Sequence, residues 1–282
     1  MSQWILGARL KTLSAAVSPV LIGTSFSQNI DWLNACLALI VACTLQIGVN
    51  FSNDYSDGIK GTDTNRLGPT RLVASGLASA KSVKNASIIC FLISALAGSL
   101  LSIRTSGWLI LIGAISILAA WGYTGGKKPY GYLGFGEISV FIFFGLVATI
   151  GSYYVQGNEI NWQIFLLSIP GGSLSCAILV VNNLRDLSTD KLAGKRTLAV
   201  LLGESKTRVF YIALLIISQG VSTLAAVIDP KLLATLICLP FTISASRKIY
   251  TGMIGRDLIP ILAKTAQLQI LLSVITACAL FI

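Results

Sequence analysis

Histidine is absent from all 282 residues, and charge is scarce, with Asp, Glu, Lys and Arg together making up 11%. The first absence excludes imidazole general bases, haem ligation by histidine and histidine-based metal sites. The second excludes an ordinary soluble domain, in which about a quarter of residues are charged. The six cysteines (Cys36, Cys43, Cys90, Cys176, Cys238 and Cys278) all fall in apolar runs without C-x-x-C spacing. They read as small buried hydrophobes rather than metal ligands. No short apolar stretch ending in a small-residue cleavage site opens the chain, and Arg9 and Lys11 lead straight into apolar sequence. A cleaved leader is therefore not expected.

What is present is hydrocarbon: 54% of the residues are hydrophobic. Apolar runs of about 18 residues or more read as membrane helices. Nine such runs lie at about 12–28, 33–52, 85–103, 107–124, 135–155, 163–183, 207–227, 232–249 and 260–282. The expected fold is all-α: a single polytopic membrane helical bundle over residues 1–282 with about nine transmembrane helices. Threading nine spans sorts the basic residues sharply, because all but Arg104 and Lys231 of the 21 fall on one side. The positive-inside rule makes that side cytoplasmic, with the N-terminus inside, in a multi-pass cell-membrane protein. The net charge of +10 then reads as topology and anionic-lipid contact. Nucleic-acid binding is not expected, since the charge is spread over membrane-proximal loops rather than gathered in a basic domain.

Carboxylates are rare, with 11 in the chain, yet five of them lie in two segments on the basic side. The first is Asn50-Phe51-Ser52-Asn53-Asp54-Tyr55-Ser56-Asp57-Gly58-Ile59-Lys60-Gly61-Thr62-Asp63, and the second is Asn182-Asn183-Leu184-Arg185-Asp186-Leu187-Ser188-Thr189-Asp190. Each starts at the end of an apolar run, the second and the sixth. Ionisable groups at a membrane boundary are costly unless paired or bound to metal, which marks them as site candidates. Asn53 and Asp57 are four apart, as are Asp186 and Asp190, and residues four apart share a helix face. Oxygen donors without histidine or cysteine suit Mg²⁺, which takes one or two carboxylates and completes its shell with phosphates and water. Two such columns would each hold an ion and bridge a diphosphate between them. A single segment of this kind is also what a solvated, ion-paired helix end looks like, but two on one side favour the metal reading.

Cations follow both segments: Lys60, Arg66 and Arg71 after the first, Lys195 and Arg196 after the second, and Lys127 and Lys128 after Tyr123 between spans four and five. Such side chains suit diphosphate oxygens, although each alone is equally explained as a topology signal. Phe51, Tyr55, Tyr123, Tyr130, Tyr132 and Phe135 lie near the same boundary, as an isoprenoid pocket wall or an interfacial aromatic belt. Glu137 opens the fifth span, either as a cap or as a site residue.

Asn53-Asp54-x-x-Asp57 and Asp186-x-x-x-Asp190, with Tyr123-x-x-x-Lys127 between spans four and five, resemble the motifs of the UbiA-type intramembrane prenyltransferases. The wording of residues 53–63, Gly68-Pro69-Thr70-Arg71-Leu72-Val73-Ala74-Ser75-Gly76, Tyr123-Thr124-Gly125-Gly126 and Asn182-Asn183-Leu184-Arg185-Asp186 is similar to one branch. So are Ala193-Gly194-Lys195-Arg196-Thr197 and the N-terminal Ala8-Arg9-Leu10-Lys11-Thr12. That branch prenylates 1,4-dihydroxy-2-naphthoate in menaquinone biosynthesis. The five residues between Asp57 and Asp63 agree with the branch. The resemblance implies a Mg²⁺-dependent enzyme whose partners are a polyprenyl diphosphate, the naphthoate and membrane lipid. Asn53, Asp57, Asp186 and Asp190 would hold the metal. Lys60, Arg71, Lys127, Lys128, Lys195 and Arg196 would face the diphosphate, with Tyr123 at the reacting centre. Three alternatives stay open: another aromatic acceptor such as 4-hydroxybenzoate, a cation-coupled transporter, and a lipid phosphotransferase. Transporter sites lie near the bilayer midplane on broken helices, whereas these motifs sit at helix ends.

Overall fold

A computed structural model describes residues 2–62 and 68–281, so Asp63 and Arg66 lie outside the described residues. All regular structure among the described residues is helical. Eight helices are long and apolar enough to cross a membrane: α1 (Gln3–Ser25), α2 (Trp32–Lys60), α3 (Ala80–Arg104), α5 (Gly136–Gly157), α6 (Trp162–Arg185), α7 (Leu198–Val227), α8 (Pro230–Tyr250) and α9 (Gly255–Phe281). Between α3 and α5 runs the shorter apolar helix α4 (Trp108–Gly122). At 15 residues it extends only ~22 Å, less than the ~30 Å hydrocarbon core.

The nine apolar runs correspond one to one with these helices, and the differences lie at their ends. α1 starts at Gln3 rather than near residue 12, and breaks at Arg9, whose φ of 51° puts a non-glycine residue in the left-handed region. α2 continues eight residues beyond 52, so the first acidic motif is the last two turns of a helix that ends on Gly61 (φ 70°). The α6 helix stops at Arg185, and Asp190 sits on a separate short helix, Leu187–Leu192. Polar sequence hid the extension of α2, because hydropathy tracks lipid contact and not the helical backbone, while Arg9 and Lys11 separated the apolar Gln3–Ala8 turn from the rest of α1.

α6 is the axis of the bundle: it packs against α1, α5, α7 and α9, and is the most buried of the long helices. α2 and α3 form a closely packed antiparallel pair, on which α4 rests. The core along α6 joins Val180, Val181 and Leu184 to Tyr211, Leu215, Ile261 and Leu268. Exposed side chains such as Leu96, Ile103, Trp108 and Leu118 face outward, as a lipid-facing surface requires.

α5 contains a π-helical stretch, Phe141–Val147, where it crosses α6. Gly145 meets Gly172 backbone to backbone, and a Cβ added at Gly145 would come 2.7 Å from the Gly172 Cα. Small residues let membrane helices approach this closely. Gly145→Ala should therefore cost about 1–3 kcal/mol of stability through overpacking. Thermal unfolding in detergent checks this, and an unchanged midpoint would show that the crossing can spread. At the opposite end of the bundle, Arg104 donates to Asp31 Oδ2 and Asn34 Oδ1, both at 2.7 Å. Asp31 also caps α2 by accepting from the Asn34 N–H. That bond first, and Arg104 after it, hold the Asp31 carboxyl below the usual carboxylate range.

Candidate active site

A cavity of about 1100 Å³ runs from the ends of α2 and α6 deep into the bundle. Its inner walls are apolar and small: Ala38 and Ala42 of α2, Ala95 and Gly98 of α3, Gly113 and Ile117 of α4, Phe143, Phe144 and Gly151 of α5. Its mouth is polar. Asn53, Asp57, Arg71, Tyr123, Asp186, Asp190 and Lys195 all line it, joining the two acidic motifs across the bundle.

Asp57, 3% exposed, is the hub. Its Oδ2 lies 3.5 Å from both Arg71 and Lys195. Tyr132 Oη donates a short hydrogen bond to its Oδ1. Lys195 is also 3.7 Å from Asp190, so one lysine bridges the two motifs. The Tyr132 ring carries Lys195 on its π system at 4.8 Å and Lys60 at 5.0 Å, at cation–π range. Asp186 is held by its neighbour: Arg185 Nε donates to Oδ1 at 2.8 Å and Nη2 to Oδ2 at 2.6 Å. The same Nη2 reaches Asn182 Oδ1 at 2.8 Å. Asn53 Oδ1 accepts from Thr124 Oγ1 at 2.7 Å, which ties the α4–α5 loop to α2.

Asp54, next to Asn53 in sequence, faces away from this mouth. It is fully buried and accepts the backbone N–H groups of Leu72 and Val73 at 2.8 and 3.0 Å. Leu72 in turn is plugged between Ala8, Phe51 and Val83. Together they fix the loop that carries Arg71 into the cavity.

Other candidates lie elsewhere. Lys127, Lys128 and Arg196 are exposed and are not on the cavity wall. The Arg196 contribution is its backbone N–H, which donates to the Tyr132 carbonyl at 2.8 Å. Lys60 donates to the Thr124 carbonyl at 2.7 Å and acts on the loop. Residues that sequence reasoning left unassigned do reach the wall: Arg9, Gln46, Asn50, Asn183 and Arg185. The available signal was polar character inside apolar runs for Gln46, Asn50 and Asn183, and a cation at the end of a run for Arg9 and Arg185. Tyr123 lines the same wall, and burial first, then the Glu137 charge, pushes its phenol well above the usual tyrosine range. It stays a hydrogen-bond donor at any ordinary pH.

Family comparison fits this architecture. The model of the UbiA prenyltransferase family matches residues 16–258. The chain belongs to the UbiA prenyltransferase family. It is 44% identical over 282 residues to the 1,4-dihydroxy-2-naphthoate octaprenyltransferase of Mycobacterium tuberculosis, covering 99% of this chain and 97% of that one. The protein of the same name from Haemophilus influenzae is 36% identical, over 100% of this chain and 96% of the other. Among solved structures, a UbiA homologue from Archaeoglobus fulgidus bound to DMAPP and Mg²⁺ shares the fold, with a TM-score of 0.71 at 14% identity over 99% of each chain. Family and helices agree on a multi-pass membrane prenyltransferase.

Proposed function

We propose that this prenyltransferase moves a polyprenyl group from its diphosphate to 1,4-dihydroxy-2-naphthoate with loss of CO₂ and diphosphate, giving demethylmenaquinol, the reduced form of demethylmenaquinone, at a site facing the cytoplasm. The acceptor is taken from the two relatives above, and the cavity supports the donor. A polar mouth lined by Arg71 and Lys195 suits a diphosphate, and the long apolar interior suits its isoprenoid tail. This division of one cavity into an anion-binding end and a hydrocarbon end is the observation that carries the reading.

The donor set at the mouth fits Mg²⁺. Asn53, Asp57, Asp186 and Asp190 offer only oxygen. Among the described residues no three of His, Cys, Asp and Glu gather into a protein-only cage. Magnesium prefers this arrangement, with one or two carboxylates and the rest of its shell from phosphate and water. When bound, it would supply positive charge against the diphosphate and so favour its departure. The chain's own groups do the rest. Arg71 and Lys195 pair with diphosphate oxygens and gain strength as charge develops on the leaving group. Breaking the allylic C–O bond leaves an electron-poor prenyl carbon that water would quench, and the apolar walls keep water away. The electron-rich ring then forms the new C–C bond, and the carboxylate leaves as CO₂.

The test uses protein in nanodiscs with a polyprenyl diphosphate and carboxyl-labelled acceptor. Labelled CO₂ and prenylated naphthol should appear together, and only with Mg²⁺. Transfer to 4-hydroxybenzoate alone would overturn the acceptor. No diphosphate release with any aromatic would overturn the enzyme reading for this site.

A further inference from the structure

Glu137 is a buried carboxyl that the donor chemistry does not use. It is 4% exposed, at the start of α5, behind the cavity wall rather than on it. Its Oε1 accepts from Asn183 Nδ2 at 3.0 Å. Its Oε2 is buried with no hydrogen-bond partner among the described residues. Natural proteins rarely leave such an atom, and where they do it often serves a site. Asn183 is on the wall, one residue from the Asn182 that Arg185 holds.

The carboxyl decides which way the amide points. Asn183 turns its NH₂ to Glu137 Oε1, and its own oxygen is the other branch of the fork. Tyr123, whose phenol stays protonated, lines the same wall, and its Oη lies against Gly136, the residue before Glu137. Gly136 permits that approach, because a Cβ there would come 3.1 Å from Tyr123 Oη and 3.4 Å from Leu179. The cavity wall therefore presents an acceptor, Asn183 Oδ1, and a donor, Tyr123 Oη. An aromatic ring bearing a hydroxyl matches the first of these.

We propose that Glu137 is a positioning residue that locks the Asn183 amide with its oxygen toward the cavity, where it accepts a hydroxyl of the aromatic substrate. The proposal rests on the prenyl-transfer reading above and adds the contact that selects a hydroxylated ring. An acceptor hydroxyl held this way donates electron density to its ring more readily. A methyl ether cannot donate and strands the buried oxygen, a loss that sites built for a hydroxyl discriminate strongly.

Binding of 1,4-dihydroxy-2-naphthoate and of its two monomethyl ethers should be measured on the whole protein in nanodiscs, without Mg²⁺ or prenyl donor, alongside steady-state kinetics. Wild type should bind at least one ether ten-fold or more weakly than the parent. Glu137→Ala and Asn183→Ala should each lose most of that discrimination and raise the acceptor KM about ten-fold, leaving the KM for polyprenyl diphosphate unchanged. Their double variant should be no worse than either single one. Glu137→Gln, whose amide can accept from Asn183 but can also donate and turn it round, should keep only part of the discrimination, and it also serves if Glu137→Ala does not fold. Discrimination retained in Glu137→Ala, or retained in full in Glu137→Gln, would overturn the proposal, as would a matching rise in the KM for the prenyl donor. A wild-type protein that binds the naphthoate but does not prenylate it would sink the transfer reading while leaving the hydroxyl contact standing.

Discussion

Asp57→Asn should lower prenyl transfer by about 10²–10³-fold, the usual cost of one lost electrostatic element at a reacting centre. It should also change how the protein responds to pyrophosphate. In the native site Asp57 sits 3.5 Å from both Arg71 and Lys195 and neutralises them in the absence of substrate. Asparagine keeps the shape and still accepts from Tyr132, but removes the carboxylate charge that Arg71 and Lys195 share, leaving Lys195 to Asp190. Removing one partner of a buried ion pair costs about 3–5 kcal/mol. The substrate-free variant should therefore unfold at a lower temperature than wild type. Inorganic pyrophosphate should restore much of that loss without Mg²⁺, because it replaces the negative charge that Arg71 and Lys195 lose with the substitution. Wild type should need Mg²⁺ for the same stabilisation, since its carboxylates repel a bare diphosphate. Differential scanning fluorimetry with and without Mg²⁺ reads both effects. A variant with wild-type turnover would show that Asp57 is only structural. One whose stability ignores pyrophosphate would show that Arg71 and Lys195 do not bind the leaving group.

That hub was half legible from sequence. The apolar runs gave the helices, because lipid contact demands continuous hydrophobicity and nothing else in the chain imitates it. The rarity of carboxylates singled out Asp57, Asp186 and Asp190, and all three line one cavity mouth. Spacing could not show which cation meets them. Lys195 reaches Asp57 across 138 residues of chain, whereas Lys127 and Lys128, next to the Tyr123 of the same mouth, are exposed. A loop lysine can face the site or the water, and only the turn geometry decides. Tyr132 read as one member of an aromatic belt, yet its ring meets two lysines and its hydroxyl meets Asp57. Glu137 was equally ambiguous, because its partner Asn183 is 46 residues away on another helix. Helix ends were misjudged where polar residues intervene: α2 extends into polar sequence where backbone hydrogen bonding continues, and the apolar first segment of α1, Gln3–Ala8, is cut off from the rest by Arg9 and Lys11.

Asp54 is the clearest separation of motif from mechanism, and its substitution should give the largest loss of stability. It shares the first acidic motif with Asp57, but its two oxygens accept from Leu72 and Val73 instead of facing the cavity. Hydrogen bonds to a charged group contribute about 1.5–3 kcal/mol each, and Asp54→Ala removes two while leaving buried N–H groups without a partner. A destabilisation of about 3–6 kcal/mol is expected. The loop from Gly68 to Ser75 should then drift, taking Arg71 out of the mouth and raising the KM for prenyl diphosphate. Asp54→Asn should sit between, since its single oxygen can serve only one of the two donors. Arg71→Ala separates the two consequences: it should reproduce the KM change with little loss of stability from the loop anchor. The Mg²⁺ concentration needed for half-maximal activity distinguishes anchor from ligand. It should stay near the wild-type value in Asp54→Asn and rise in Asp57→Asn. A rise of the same size in both would place Asp54 among the metal-binding groups, and the loop-anchoring account of it would have to be abandoned.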